Sequence, residues 1–217
     1  MLFSLSVQEL IFLVPILLMS LSVHEFFHGW VSSLQGDPVP RLEGRLTLNP
    51  LKHLDLWGTL MLLTAGFGWA KPVRIDIDSY KNRYPGLVLT SLAGPFSNLL
   101  IALLFTVLLR FVFLSDALAF MRTEAVVTVI QYVLIINILL FLFNLIPIPP
   151  LDGSRVVTAL FNRNTAFISS YNRWGVYILL AILLINRALD VEIIPISRMM
   201  GGVLRFMFAL IIPELSA

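Results

Sequence analysis

The sequence lacks cysteine and has few charged residues. The absence of cysteine excludes disulfides and thiolate metal ligands, so only histidine and carboxylate side chains remain to bind a transition metal. Charged residues make up 13% of the 217 residues, about half of the roughly 25% that soluble domains contain. Hydrophobic residues reach 58%, and the mean hydropathy is +0.90. This composition indicates an integral membrane protein, and we predict one membrane-embedded domain over residues 1–217.

Two uncharged runs are long enough to cross a bilayer. They extend from Leu87 to Leu109 and from Ala125 to Leu151, and each exceeds the roughly 20 residues that a spanning helix needs. A first helix over about residues 7–33 and a later one over residues 165–189 also have the required length, whereas arginines interrupt residues 193–213. We therefore predict an all-α integral membrane protein with about five to six membrane segments, and leave open whether residues 193–213 span.

Residues 34–84 form a polar connection between the first helix and the first of these runs. It contains an apolar island, Leu56 to Ala70, which as a helix would cover only roughly 22 Å and is too short to cross. We therefore predict a re-entrant or interfacial element. From Val73 to Ile77, apolar and charged residues alternate, which predicts a short β-like element.

Positive residues lie mainly in this connection and after the run that ends at Leu151. The positive-inside rule then places the N-terminus outside the cell and the connection in the cytosol. The net charge of +2 is spread along the chain, which suits lipid headgroups and gives no reason to expect a nucleic acid partner. The residues concerned are Arg41, Arg45, Lys52, Lys71, Arg74, Lys81 and Arg83, followed later by Arg155, Arg163 and Arg173.

The most informative motif is H-E-F-F-H, which places His24, Glu25 and His28 within the apolar first helix. Two imidazoles four residues apart share one helix face, which is the arrangement that a helix offers to Zn²⁺. The glutamate beside the first histidine is placed to take a proton from water. Polar residues at this depth in a membrane need a functional reason.

A second constellation is N-L-I-P-I-P-P-L-D-G, from Asn144 to Gly153. Its prolines end the preceding helix and present Asp152 at a bend on the same side of the membrane as His24 and His28. An Asp carboxylate would complete a site of two histidines and one carboxylate, with a fourth position for water. The alternative is that Asp152 caps the N-terminus of the following helix.

Together these two motifs resemble the paired signatures of the site-2 protease family of intramembrane zinc metalloproteases. Residues 91–98, S-L-A-G-P-F-S-N, and the segment L-N-P-L-K-H-L-D-L-W-G are similar to segments of its compact bacterial and archaeal members. The resemblance implies a multi-pass protein of the bacterial or archaeal cell membrane, with its active site toward the cytosol. It also implies hydrolysis of peptide bonds in membrane-spanning protein substrates, near the cytosolic side.

By the same resemblance, each chain binds one Zn²⁺ through His24, His28 and Asp152. Glu25 then acts as general base and afterwards as acid, and Asn144 contacts the scissile carbonyl or its oxyanion. Residues 34–84 contain no PDZ-like module, so substrate selection depends on the membrane core or on an unidentified regulatory partner protein. Because a spanning helix hides its peptide bonds, the substrate must unwind, and the segment from Val73 to Ile77 offers an edge for backbone pairing.

The sequence allows two interpretations for the roles of Asn98 and His53, and it allows alternative functions for the whole protein. Asn98 either bonds across closely packed helices or takes part in catalysis, and His53 either has a surface or loop role or contacts metal. A metal or ion transporter is an alternative function, although the sequence has no repeated half with matching broken helices. A catalytically silent membrane binding protein of the same fold is another, which full biological activity of a Glu25→Gln variant would support.

Overall fold

The computed structural model describes residues 7–65, 70–189 and 191–211, and the helices within these ranges determine the fold. No β-strand occurs in the described ranges. The prediction of an all-α protein is therefore confirmed. The helices are α1 (Val7–Leu34), α2 (Val39–Leu42), α3 (Leu56–Ala65), α4 (Arg83–Leu114), α5 (Glu124–Asn144), α6 (Asp152–Leu160), α7 (Thr165–Leu189) and α8 (Ile196–Ile211).

Four of the described helices, α1, α4, α5 and α7, are long and apolar enough to cross a membrane. Helices α3 and α8 are shorter, with 10 and 16 residues. The predicted five to six membrane segments agree with these elements only if α3 or α8 also enters the bilayer, so that number stays a prediction. Helix α8 lies within residues 193–213, whose last two residues are outside the described ranges.

Helix α4 is central, because both α1 and α5 pack along it. An apolar cluster of buried residues joins α4 and α5 to the buried face of α8, whose Met207 is 2% exposed. The site described below lies elsewhere, where α1 and α4 meet the start of α6. The buried members of the apolar cluster are Ala102, Leu109, Ile130, Leu134, Ile138, Leu142 and Met207.

In the connection, the structure corrects one prediction and agrees with another. The apolar island begins with α3, a helix too short to span, as expected of a re-entrant or interfacial element; residues 66–69 lie outside the described ranges. The predicted β-like element from Val73 to Ile77 is wrong, because the only bridge in the described chain joins Leu54 to Ala70. The physical reason is that side chains take the backbone donors of this segment: the Val73 N–H bonds to Glu25 and the Asp76 N–H bonds to Asp37.

The buried carboxylate of Asp37 fastens this extended segment to α1. It accepts hydrogen bonds from the Ser32 hydroxyl at 2.6 Å, from the Val39 N–H at 2.8 Å and from the Asp76 N–H at 2.9 Å. Since Ser32 is in α1 and Asp76 follows the extended segment, the carboxylate joins the two. The connection is thus held against the cytosolic end predicted for α1 by charge-assisted hydrogen bonds.

Candidate metal centre

Helix α1 brings its two histidines together on one face. His24 and His28 are 3% and 4% exposed, and their Nε2 atoms lie 3.0 Å apart. This closeness follows from the four-residue spacing, which places both side chains on one side of a helix. The spacing in the sequence therefore predicted correctly that the two side chains share one helix face.

Asp152 reaches the same point from α6. Its Oδ2 lies 3.0 Å from His24 Nε2 and 3.1 Å from His28 Nε2. The N-cap residue of α6 is Leu151, so Asp152 is the first helical residue and its side chain points to the histidines. The neighbouring Gly153 makes this placement possible, since a Cβ there would lie 2.3 Å from the carbonyl oxygen of Leu145.

The outer nitrogens of both imidazoles face hydrogen-bond acceptors. His24 Nδ1 lies 2.6 Å from Asn98 Oδ1, and His28 Nδ1 lies 2.7 Å from the backbone oxygen of Thr90. Amide and backbone carbonyl oxygens accept hydrogen bonds and cannot donate them. Each Nδ1 must therefore carry the hydrogen. Each Nε2 then presents its lone pair to the point where Asp152 Oδ2 also lies, which is the form of histidine that binds a metal.

The three ligand atoms fit a zinc ion. They lie within 4.8 Å of one another, and their separations of 3.0–3.1 Å are a few tenths of an ångström shorter than the about 3.3–3.4 Å of a tetrahedral zinc site. Gly94 of α4 leaves the necessary space, because a Cβ there would come within 2.3 Å of His28 Nε2 and 2.7 Å of His24 Nε2. Two imidazoles and one carboxylate are also a usual donor set for catalytic zinc.

Burial and the histidines act in opposite directions on the Asp152 carboxyl. Burial alone raises its pKa, but the positive charge of the adjacent His28 and His24 rings in their protonated form outweighs burial and holds the pKa well below its usual range. The carboxylate is therefore ionised at neutral pH, as a metal ligand must be.

A cavity of about 450 Å³, called the site cavity below, opens beside these ligands. Glu25 lies in its wall, with Oε2 accepting a hydrogen bond from the Val73 N–H at 2.9 Å. Asn144, the last residue of α5, also lies there, and its Nδ2 donates to the Leu140 oxygen at 3.0 Å. The lining residues are Leu21, His24, Glu25, His28, Ala70, Pro72, Val73, Leu140, Phe143, Asn144, Pro150, Leu151, Asp152, Arg155 and Leu179.

The structure thus places all five residues predicted for the site around one cavity, but two other assignments need comment. His53 lies in a loop, as one interpretation held, but it is only 2% exposed and so not at the surface; its Nε2 lies 2.9 Å from the Thr47 oxygen, outside the site cavity. It is buried because its loop pairs with the extended segment, where the Lys71 N–H donates to the His53 oxygen. Asn98 bonds across helices, as one of its two interpretations held.

Sequence reasoning missed three contributors. Arg155 lines the site cavity, and its position three residues after Asp152 on a helix was the signal that could have found it. Thr90 contributes a backbone oxygen, for which no side-chain pattern gives a signal. Asn137 is fully buried behind Asn98, and an asparagine in the middle of an apolar spanning helix was its signal.

A buried centre of two histidines and one carboxylate, with a glutamate beside it and membrane-length helices around it, defines a membrane-embedded metallohydrolase. Residues 12–186 match the model of Peptidase family M50, and the chain belongs to this family. The resemblance to site-2 proteases is therefore confirmed, and the protein is a zinc-dependent metalloprotease. The transporter alternative is not favoured.

Two curated bacterial proteins are similar to the chain. One is named "Putative zinc metalloprotease YwhC", from Bacillus subtilis (strain 168), with 42% identity over 151 residues that cover 67% of this chain and 67% of that protein. The other is named "Putative zinc metalloprotease Rip2", from Mycolicibacterium smegmatis, with 32% identity over 180 residues that cover 80% of this chain and 66% of that protein. The aligned regions thus span about two thirds of these relatives. No solved structure matches the chain significantly.

Proposed function

We propose that this chain is an intramembrane endopeptidase that hydrolyses peptide bonds of transmembrane substrate helices near the cytosolic side of the membrane, as in regulated intramembrane proteolysis. The observation that supports this most is the convergence of His24 Nε2, His28 Nε2 and Asp152 Oδ2 within 3.1 Å beside a cavity that also contains Glu25. These three side chains are the proposed zinc ligands, one ion per chain.

Glu25 is the proposed general base and then acid. A zinc ion held by His24, His28 and Asp152 would supply Lewis acidity toward a carbonyl oxygen and would lower the pKa of water. The Glu25 carboxylate accepts the water proton and returns it to the leaving amine. The N–H of Val73 donates to Oε2 and so orients the carboxylate, and the lone pairs of Oε1 can accept a proton.

Asn144 is the proposed hydrogen-bond donor to the scissile carbonyl or its oxyanion. Its amide nitrogen has two N–H groups, and the bond to the Leu140 oxygen uses one of them. The second N–H is free to meet a substrate oxygen in the site cavity. Because a neutral donor to a developing oxyanion typically contributes on the order of 100-fold or more in rate, Asn144→Ala is expected to lower kcat by about that factor.

The substrate has to unwind before its peptide bond can enter this cavity, because helical hydrogen bonds otherwise shield it. Ala70, Pro72 and Val73 line the cavity as part of an extended segment. We assign this segment the role of an edge whose carbonyl oxygens pair with the unwound backbone, because the Lys71 and Val73 N–H groups already donate within the protein and Pro72 has no N–H. Proline scanning of a substrate opposite this edge should then reduce cleavage, and unchanged cleavage at every position would contradict the pairing.

The proposed setting is the cell membrane of a bacterium or archaeon, with the N-terminus outside and the active site toward the cytosol. The Lys and Arg residues of the connection support this orientation. Because the chain lacks cysteine, single cysteines introduced at exposed positions report it directly. Labelling of intact cells with an impermeant thiol reagent should modify Asp116→Cys and spare Lys81→Cys, and the opposite pattern would invert the topology.

The activity is tested by reconstituting the purified protein in liposomes with a panel of model transmembrane substrates. We expect cleavage, located by mass spectrometry, on the cytosolic side of the substrate helix. Glu25→Gln should lower the rate by about 10²–10⁴-fold, the usual contribution of general base catalysis. Asp116→Asn, which changes an exposed carboxylate of the loop between α4 and α5, is the matched control and should cleave normally. Equal cleavage by Glu25→Gln would contradict the mechanism.

A further inference from the structure

Behind His24, two buried asparagines and one serine form a continuous chain of hydrogen bonds. Asn98 Oδ1 accepts from His24 Nδ1 at 2.6 Å, and Asn98 Nδ2 donates to Asn137 Oδ1 at 2.9 Å. Asn137 Nδ2 donates in turn to the Ser20 hydroxyl at 2.9 Å and to the Val133 oxygen at 2.8 Å. These hydrogen bonds join α1, α4 and α5, since Ser20, Asn98 and Asn137 lie on these helices.

Fixed backbone acceptors determine which way each amide points. Asn137 Nδ2 must face the Val133 oxygen, because that oxygen can only accept, and this turns Asn137 Oδ1 toward Asn98. Asn98 Nδ2 likewise faces the Ser20 backbone oxygen at 3.3 Å as well as Asn137 Oδ1. Asn98 Oδ1 therefore faces His24. Because this oxygen can only accept a hydrogen bond, His24 Nδ1 must carry the proton.

The burial of these amides argues that the chain of bonds has a role beyond packing. Asn98 and Asn137 are both 0% exposed and lie within helices long enough to span the membrane. Polar side chains at such positions are costly and are usually functional. Asparagine side chains can also join membrane helices by hydrogen bonds, but this network ends on one imidazole of the metal centre, which helix association alone does not require.

The two histidines differ in how they are oriented. His28 Nδ1 donates to the Thr90 oxygen, a backbone atom that is present whatever the side chain. His24 Nδ1 donates to a side chain that is itself held by a second side chain. A side-chain substitution can therefore remove the hydrogen bond that orients His24, but not the one that orients His28.

We propose that Asn98 and Asn137 are positioning residues: Asn98 fixes the tautomer and ring orientation of His24, Asn137 fixes Asn98, and together they set the affinity of the centre for zinc. The proposal rests on the proposed ligand role of His24. Residues that orient a ligating histidine typically contribute 10–100-fold in metal affinity. Neither asparagine lines the site cavity.

The first test is zinc affinity of the full-length, detergent-purified protein, measured by competition with a chromogenic chelator. Asn98→Leu keeps the side-chain size but removes the acceptor, and we expect about 10–100-fold weaker binding. Asn137→Leu should give a smaller loss in the same direction, because Asn98 keeps its bond to the Ser20 oxygen. Thr106→Val is the matched control, since Thr106 is equally buried on α4 but bonds only within its own helix, to Ala102.

The second test is nuclear magnetic resonance of zinc-loaded protein labelled with ¹⁵N-histidine, which is simple to read because the chain has three histidines. In Asn98→Leu, the Nδ1–H of His24 should lose its hydrogen-bonded shift and exchange faster with solvent, while His28 stays unchanged. Asn98→Asp keeps an oxygen facing Nδ1 and should preserve the hydrogen-bonded shift of the His24 Nδ1–H, while it loses the two bonds that Asn98 Nδ2 donates to the Ser20 oxygen and Asn137. If Asn98→Leu does not fold, Asn98→Asp still tests the proposal, because loss of the hydrogen-bonded His24 signal in a folded Asn98→Asp protein would contradict it.

The outcomes separate this inference from the proposed function. A folded wild-type protein that binds no zinc would overturn the proposed function itself. Wild-type protein with one zinc, combined with unchanged zinc affinity and an unchanged His24 signal in Asn98→Leu, would overturn the positioning role alone. Weaker zinc binding in Asn98→Leu with wild-type affinity in Asn137→Leu would remove Asn137 from the proposal.

Discussion

Substitution of Gly94 by alanine is expected to exclude zinc from the centre while leaving the fold intact. A Cβ at position 94 would lie 2.3 Å from His28 Nε2, about 0.7 Å closer than the 3.0 Å below which real Cβ contacts are essentially absent. It would also lie 2.7 Å from His24 Nε2, in the space between the two nitrogens. The methyl group would therefore occupy the place of the metal or displace both rings.

The size of the effect follows from these distances. Zinc–nitrogen bonds are about 2.0–2.1 Å long, and a functional site tolerates deviations of only about 0.2 Å. A displacement of about 0.7 Å is several times larger, and a misplacement of about 1 Å costs on the order of 100-fold in rate even without metal loss. We therefore expect Gly94→Ala to bind zinc at least about 100-fold more weakly and to lose proteolysis.

The same substitution should not unfold the protein. Alanine is favoured over glycine within a helix by about 1 kcal/mol, which offsets part of the about 1–3 kcal/mol that an extra methyl group costs in a packed interior. The assay is zinc per chain by elemental analysis, with helix content by circular dichroism on the same sample. Gly202→Ala is the matched control, because a Cβ there has nothing within 4 Å. Gly94→Ala with one tightly bound zinc would refute the placement of the metal beside α4.

Three further results are expected. Gly153→Ala should weaken zinc binding in the chelator competition assay, because its Cβ would meet the Leu145 oxygen at 2.3 Å and displace the start of α6 with Asp152; unchanged affinity would contradict this account of α6. Asp37→Ala removes the acceptor of three donors, which are the buried Ser32 hydroxyl and the partly buried N–H groups of Val39 and Asp76, at up to about 1–3 kcal/mol each before relaxation. Its melting temperature should fall and amide exchange at Asp76 should accelerate, and equal exchange would show that the carboxylate does not hold the segment. Removal of metal with 1,10-phenanthroline should abolish cleavage and added Zn²⁺ should restore it, whereas cleavage that survives removal would argue against a zinc enzyme.

The sequence predicted the parts of the fold that depend on composition and local spacing. Uncharged runs located α4 and α5, although α4 continues to Arg83 and Leu114 because polar residues at its ends also suit a helix near an interface. The predicted run ending at Leu151 was too long for α5, which ends at Asn144 before the prolines that cannot continue a helix. The H-E-F-F-H spacing predicted that His24 and His28 share a face.

Contacts between distant segments could not be predicted in the same way. The alternation from Val73 to Ile77 suggested a strand, but the pattern contains no information on whether its backbone donors meet another strand or a carboxylate such as Glu25 or Asp37. The burial of His53 depends likewise on a loop that folds over it. For Asn98, the sequence left both interpretations open because only the helix packing shows that its oxygen faces His24.

The central claim is that His24, His28 and Asp152 hold a zinc ion on which proteolysis depends, with Glu25 as the base. Its most direct test measures zinc content and cleavage of a model transmembrane substrate on the same preparations of wild type, Glu25→Gln and Asp152→Ala. The account predicts one zinc and cleavage for wild type, one zinc without cleavage for Glu25→Gln, and neither for Asp152→Ala. A folded wild-type protein without zinc, or a Glu25→Gln variant that cleaves at the wild-type rate, would contradict it.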